Sequence, residues 1–156
     1  MAEQAGDGRL IGELLRNPNA ARVRHVEQGF AAAGHPHIRQ PQLPILEYID
    51  RERGSRITYL ARHANVTVQA MGELVDALAR QGYVERVPDP TDGRAKLVRL
   101  TPRGHDVYGL AGTLVADLEA RWAAAVGPAR LRELKDLLAE LWDAIEASDE
   151  TADAAG

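Results

Sequence analysis

The 156-residue chain contains no cysteine. That excludes disulfides, thiol nucleophiles, thiol redox sensing and cysteine-ligated metals. Aromatic residues make up only 4% of it, so a core must be built from Leu, Val, Ala and Ile within a hydrophobic share of 45%. No stretch approaches the run of about 18 apolar residues that a membrane span requires. The opening MAEQAGDGRLIGELL has neither the basic start nor the apolar block of a signal peptide. Equally missing are a glycine-rich phosphate loop, a nucleophile elbow and an H-E-x-x-H run, so no catalytic residue is assigned. The expectation is a soluble cytoplasmic protein, not an enzyme, with no cofactor and no membrane partner. Its length suits one compact domain, or one domain with an accessory element.

Positive charge is scarce everywhere except the middle third. Residues 1–50 hold 5 Lys and Arg against 6 Asp and Glu, and residues 104–156 hold 4 against 11. Residues 51–103 reverse the balance with 10 against 6, inside a chain of net charge -4. A basic zone on an otherwise acidic protein suits one surface that meets a polyanion while the rest stays soluble.

Periodicity organises the chain. RLIGELLRN reads as a short helix, and Asn17-Pro18 either as the N-cap and first residue of a second helix that stops at Gly34 or as only a kink. GHPHIRQPQLP, with three prolines, reads as a connection, and Leu43 to Gly54 as a further helix. A short helix through Leu60 and Ala64 follows, with Thr58 as its expected N-cap. Asn65 then falls where a chain leaving a helix needs a left-handed conformation. Thr67 caps a longer helix on which Val68, Met71, Leu74, Val75 and Leu78 form one apolar stripe, and Gly82 closes it. Two helices joined by a tight turn make a helix-turn-helix. Tyr83 to Val87 and Leu97 to Thr101 read as strands around a PDPTDG loop, which places a hairpin wing directly after it. Thr101-Pro102 opens a helix to about Val126, and a last amphipathic helix runs from Leu131 through Ile145, with a frayed tail after it. The fold class is mainly α with a small β-hairpin wing, a winged helix-turn-helix between terminal helices. Stripes on the terminal helices exceed what the central lobe can cover, which points to a second copy of the chain.

With these residues placed, LARHANVTVQAMGELVDALARQGYVERVPDPTDGRAKLVRLTPRG resembles the MarR (multiple antibiotic resistance regulator) family of winged helix-turn-helix transcription factors. The ordered set of GYVER, the D-x-R of Asp92 and Arg94, and LTPRG carries the likeness. The resemblance implies a homodimer acting as a repressor on a pseudo-palindromic site in double-stranded DNA. Residues 1–50 and 103–156 would form the helical dimerisation region, and residues 51–102 the winged lobe. It also implies a small aromatic or phenolic effector that releases the DNA.

Candidate DNA-binding residues follow. The resemblance places Arg94 toward the minor groove, where the negative potential favours guanidinium, with Asp92 orienting it by a charge-assisted hydrogen bond. Lys96 and Arg99 are candidate phosphate contacts. Arg86 is either a contact or a brace to a neighbour such as Asp76. On the recognition helix, Thr67, Gln69, Ala70, Gly72 and Glu73 face away from the stripe. Family members commonly place hydroxyl and basic residues near Ala70, Gly72, Glu73 and Ala77; this chain has small residues and carboxylates there. Gln69 can read adenine and Glu73 can accept from a cytosine amine, whereas carboxylates facing phosphates weaken binding. A second function therefore stays open, a winged-helix module for protein–protein interaction without specific DNA binding. His37, Arg39 and Tyr48 are candidates for binding the effector's carboxylate or phenol. His35 and His37 flank Pro36, but His25, His63 and His105 are scattered, and no metal site is assigned.

Overall fold

Apolar positions at helical spacing build the helices, and a small sheet accompanies them. The computed structural model describes residues 9–153. The helices are α1 (Ile11–Ala32), α2 (Leu43–Tyr48), α3 (Ile57–His63), α4 (Val68–Arg80), α5 (Pro102–Val126) and α6 (Pro128–Asp153), with a 3-10 turn at Gln40–Gln42 before α2. Strands β1 (Ser55–Arg56), β2 (Val84–Asp89) and β3 (Asp92–Leu100) form an antiparallel sheet of order β1-β3-β2. Two compact units divide the chain within α5, one ending at Val115 and the other starting at Ala116. Expectations for the N-terminal stretch before Arg9 and for residues 154–156 of the tail lie outside the described residues.

The first unit holds a core in which Phe30 of α1, Leu43, Ile45 and Leu46 of α2, Leu60 of α3 and Met71, Val75 and Leu78 of α4 meet Val84, Val98, Leu100 and Val107. This is the aliphatic core that the composition requires. In the second unit Lys135 pairs with Glu119 at 2.7 Å. Along α6, Leu134, Leu137, Leu138, Leu141, Trp142 and Ile145 are all exposed.

Several local signals act as expected. Gly34 terminates α1 with His35 N–H bonded to Phe30 O at 2.8 Å and Gly34 N–H to Ala31 O at 3.2 Å, the paired bonds of a Schellman end. Asn65 takes φ 53 between α3 and α4. The Thr67 hydroxyl accepts from Ala70 N–H at 3.1 Å and caps α4. Gly82, at φ 78, lets the chain leave α4 and turn at once into β2.

Other expectations are corrected. Of the two readings at Pro18, the separate helix is not formed, and Pro18 lies inside one continuous α1. It removes the N–H that Leu14 O would receive, but this turn is exposed, where water can satisfy the carbonyl. The α2 helix ends at Tyr48, well before Gly54, because Asp50 Oδ1 accepts from the N–H groups of Glu52 and Arg53 and folds the chain into a turn. Thr58 is inside α3, whose N-cap is Arg56. Val68 is 48% exposed, so the apolar stripe begins at Met71. Both hairpin strands are longer than expected, and only Pro90 and Thr91 remain between them. Pro88 fits within β2 because β2 is an edge strand, where a missing N–H costs no ladder bond when it points outward. The short β1 was not expected.

Where α5 begins, Thr101 ties its helix to the hairpin. Thr101 N–H donates to Tyr83 O at 3.1 Å, while its hydroxyl donates to Gly82 O at 2.6 Å and accepts from Gly104 N–H at 3.0 Å. A Cβ on Gly104 would collide with Tyr83 O. Gly109, on the exposed side of the same helix, has nothing within 4 Å of such an atom. Gly104→Ala should therefore destabilise the protein by about 1–3 kcal/mol in urea unfolding. Gly109→Ala should leave it unchanged or stabilise it by up to about 1 kcal/mol. Equal effects of the two substitutions would contradict this packing.

Candidate nucleic-acid interface

Helix α4 and the β2-β3 hairpin form one surface, and two of its cations, Arg86 and Arg99, are held by neighbouring carboxylates. On α4, Thr67, Gln69, Glu73 and Asp76 are exposed, while Ala70, Gly72 and Ala77 are half-buried. Gly72 is tucked against α3, since a Cβ there would sit 3.7 Å from Ile57. Arg86 of β2 reaches back to this helix. Its Nη2 donates to Asp76 Oδ1 at 2.9 Å, and Gly72 O lies at 3.5 Å. Of the two roles left open for Arg86, the brace is the one formed here.

Strand alternation sorts the hairpin's charges. Val84, Arg86 and Pro88 stand opposite Leu100, Val98 and Lys96. Since side chains alternate between faces, Lys96 shares a face with Arg86, Val98 and Leu100. On the other face Glu85 stands opposite Arg99 and accepts its Nη2 at 2.8 Å. Arg99 is thus one half of a cross-strand ion pair. The register shifts between Pro88 and Asp89, so that Pro88 faces Lys96 while Asp89 faces Asp92. Gly93, Arg94 and Ala95 fall in that irregularity, and Arg94 stands exposed at the wing tip. Among the described residues, neither the Arg94 guanidinium nor the Lys96 ammonium has a hydrogen bond or ion pair.

Asp92 holds Arg94 differently from the expectation. Its Oδ1 accepts from the Arg94 backbone N–H at 3.2 Å, not from the guanidinium. Two residues apart in a turn, an aspartate reaches the main chain more readily than a side-chain terminus. The wing's anchor is another aspartate, missed from sequence. Buried Asp89 accepts from Thr91 Oγ1 at 2.7 Å, from Thr91 N–H at 2.9 Å and from Arg56 Nη2 at 2.7 Å. These bonds, the Thr91 hydroxyl foremost, then the Thr91 N–H and Arg56, lower the Asp89 carboxyl from 3.8 to about 2. Arg56 also lies 3.6 Å from Asp92. The Asp89-x-Thr91 spacing is a turn signal readable in sequence, but its partner Arg56 stands on β1, a strand brought alongside only by folding.

The expected effector residues do not converge. His37 and Arg39 are exposed in the connection before α2, and Arg39 N–H donates to Gln42 Oε1 at 2.9 Å. Tyr48 lies against His63 with ring centroids 5.4 Å apart. It lines an open groove of about 860 Å³ together with Asp50, Arg56, Tyr59 and Arg62. A smaller cavity of about 270 Å³ lies between α1, α2 and α5, with Val26, Leu43, Leu46, Tyr108 and Val115 as walls and Arg22 and Glu47 among its lining. Arg22 Nη1 and Glu47 Oε1 pair at 2.6 Å. Neither His37 nor Arg39 lines either space. Among the described residues no cluster of three or more His, Asp or Glu could hold a metal, and no helix is long and apolar enough to cross a membrane.

Comparison with known proteins bears on the family and the fold. A model of the MarR family matches residues 38–95. Over 135 residues, 86% of this chain and 95% of the relative, the sequence is 30% identical to the HTH-type transcriptional repressor Rv2887 of Mycobacterium tuberculosis. The crystal structure of that Mycobacterium tuberculosis MarR family protein with salicylic acid superimposes with a TM-score of 0.64 at 29% identity, covering 88% of this chain and 99% of that one. The transcriptional repressor CouR, solved on a 23-mer DNA duplex, shares the fold with a TM-score of 0.70 at 23% identity over 85% and 92% of the two chains.

A lowered carboxyl stabilises the folded state at pH above its unfolded value, and that contribution fades as pH falls toward the folded value. Asp89 should therefore stabilise the wing fully above about pH 4 and lose that contribution between 3.8 and about 2. Wild type and Asp89→Asn should differ most in thermal midpoint above pH 4 and converge near pH 2. Parallel profiles across that window would rule out the anchor.

Proposed function

The chain belongs to the MarR family of DNA-binding transcriptional regulators, and from that membership we propose that it is a cytoplasmic homodimeric repressor. Its target is a pseudo-palindromic operator, and a small aromatic acid or phenol releases it. It is a regulator and not an enzyme. The observation that carries the DNA reading is the exposed, unpaired pair of cations Arg94 and Lys96 on a wing whose other cations are held internally. Arg94 reaches the minor groove from the wing tip, and Lys96 meets a phosphate. The Thr67-capped start of α4 supplies the groove-facing helix, with residues 51–102 as the DNA-binding lobe.

The dimer rests on the apolar stripe of α6 and on exposed Leu10, Ile11, Leu14 and Leu15 at the start of α1. Apolar surface of this extent on a soluble protein marks an interface. Residues 1–50 and 103–156 serve as the dimerisation region. The ligand reading rests on the cavity between α1, α2 and α5. It has apolar walls, a phenol at Tyr108 and a guanidinium at Arg22 able to exchange Glu47 for a ligand carboxylate. The relative Rv2887 was solved with salicylic acid, an aromatic acid of suitable size.

Mobility shifts with DNA flanking the protein's own gene, run at several salt concentrations, test the central reading. One fragment should bind far more tightly than random DNA, with affinity falling steeply as salt rises. Arg94→Ala should weaken that binding on the order of tenfold and lower the salt slope by about one unit. Equal binding of all fragments at low salt would leave the winged-helix interaction module as the better reading. Sedimentation of the purified protein at tens of micromolar should give a dimer; a monomer would contradict the interface.

A further inference from the structure

We propose that α4 reads DNA through a face of hydrogen-bond acceptors, with Gln69 on an adenine and Glu73 on the exocyclic amine of a cytosine. This deepens the DNA-binding reading and rests on it. Gln69 and Glu73 are exposed one helical turn apart, and among the described residues neither side chain has a hydrogen bond or ion pair. Asp76, the next carboxylate on the same face, is drawn to the hairpin by Arg86 at 2.9 Å. The ion pair leaves Glu73 as the carboxylate of α4 without a cationic partner. Four residues advance an α-helix by about 6 Å, close to two base-pair steps along the duplex. One turn of α4 therefore spans two neighbouring base contacts.

The chemistry of each contact is restrictive. The glutamine amide matches the N6 donor and N7 acceptor of adenine, and a carboxylate on a base edge matches the N4 donor of cytosine. Against guanine O6 and N7, or thymine O4, Glu73 would face an acceptor with no proton between them. Desolvating an unmatched carboxylate is costly, so Glu73 selects by rejection as much as by attraction. It also repels phosphates, which weakens binding to arbitrary sequence and widens the gap between operator and bulk DNA. Val66 and Val68, 39% and 48% exposed at the start of α4, add apolar surface suited to a thymine methyl.

Selection of a randomised duplex library by the full-length protein, beside Glu73→Gln and Gln69→Ala, tests this. The wild type should enrich a half-site with adenine and cytosine about two steps apart. Glu73→Gln should exchange the cytosine preference for adenine at that one position and keep the others. It should also bind random DNA several-fold more tightly. Replacing the selected cytosine pair by a thymine pair should cost the wild type on the order of tenfold in affinity and the Glu73→Gln protein far less. Both side chains are exposed, so unchanged thermal midpoints serve as the folding control. A cytosine preference that survives Glu73→Gln, or a wild-type motif without one, overturns the inference while the DNA-binding reading stands. Failure of the wild type to enrich any motif would remove the DNA-binding reading and the inference together.

Discussion

Tyr83 is the point on which the DNA-facing surface depends. Its N–H donates to Leu78 O at the end of α4, and its carbonyl receives Thr101 at the end of β3. Its buried hydroxyl is hydrogen-bonded to His35 Nδ1 at 2.8 Å and accepts from Arg103 Nη2 at 3.2 Å. The Arg103 guanidinium also covers the ring, 4.6 Å from its centroid. One residue thus joins the end of α1, the end of α4, both hairpin strands and the first turn of α5. A buried hydroxyl needs partners, and these come from segments far apart in sequence, so their positions are set together. Gly104 completes the junction because only a residue without Cβ lets α5 start so close to Tyr83 O.

From this junction outward, four arginines of the basic middle third are held in place. Arg56, Arg86, Arg99 and Arg103 are engaged with Asp89, Asp76, Glu85 and Tyr83. The exposed pairs among them are individually worth little, on the order of 0–1 kcal/mol. Their effect is orientation, since they fix hairpin to helix and strand to strand. On the hairpin, Arg94 and Lys96 have no such partner among the described residues. Of its four cations, Arg86, Arg94, Lys96 and Arg99, two are therefore held by carboxylates, and on the neighbouring helix α4 Gln69 and Glu73 are exposed. In the proposed DNA-binding role, that combination would lower attraction to arbitrary DNA and leave selectivity to the shape of the wing and the chemistry of base edges.

Much of the fold was legible because the decisive signals are local. Asn65, the Thr67 cap, Gly82 and the Thr101-Pro102 start each act within a few residues of their own position. The errors came where neighbours in space outweigh local preference. Pro18 did not break α1, because its lost hydrogen bond faces water. The short strand β1 has two residues and exists only because Val98 and Leu97 offer it an edge. Asp89 and Arg56 are 33 residues apart, so the wing's anchor could not be read from either segment alone. At the candidate site, residue types identified Arg94 and Lys96 as cations but could not show that Arg86 and Arg99 have carboxylate partners. The effector candidates failed to converge for the same reason. His37, Arg39 and Tyr48 are near one another in sequence, whereas the smaller cavity draws on α1, α2 and α5.

In the proposed role the hairpin's cations divide between bracing and binding, and Arg86 is the sharpest case. Arg86→Ala should be compared with the wild type for the salt dependence of binding to the strongest DNA fragment. If Arg86 is a brace, affinity falls as α4 and the hairpin lose their fixed relation, but the slope of log affinity on log salt stays as in the wild type. A slope smaller by about one unit would mean that Arg86 neutralises a phosphate, and would contradict the account.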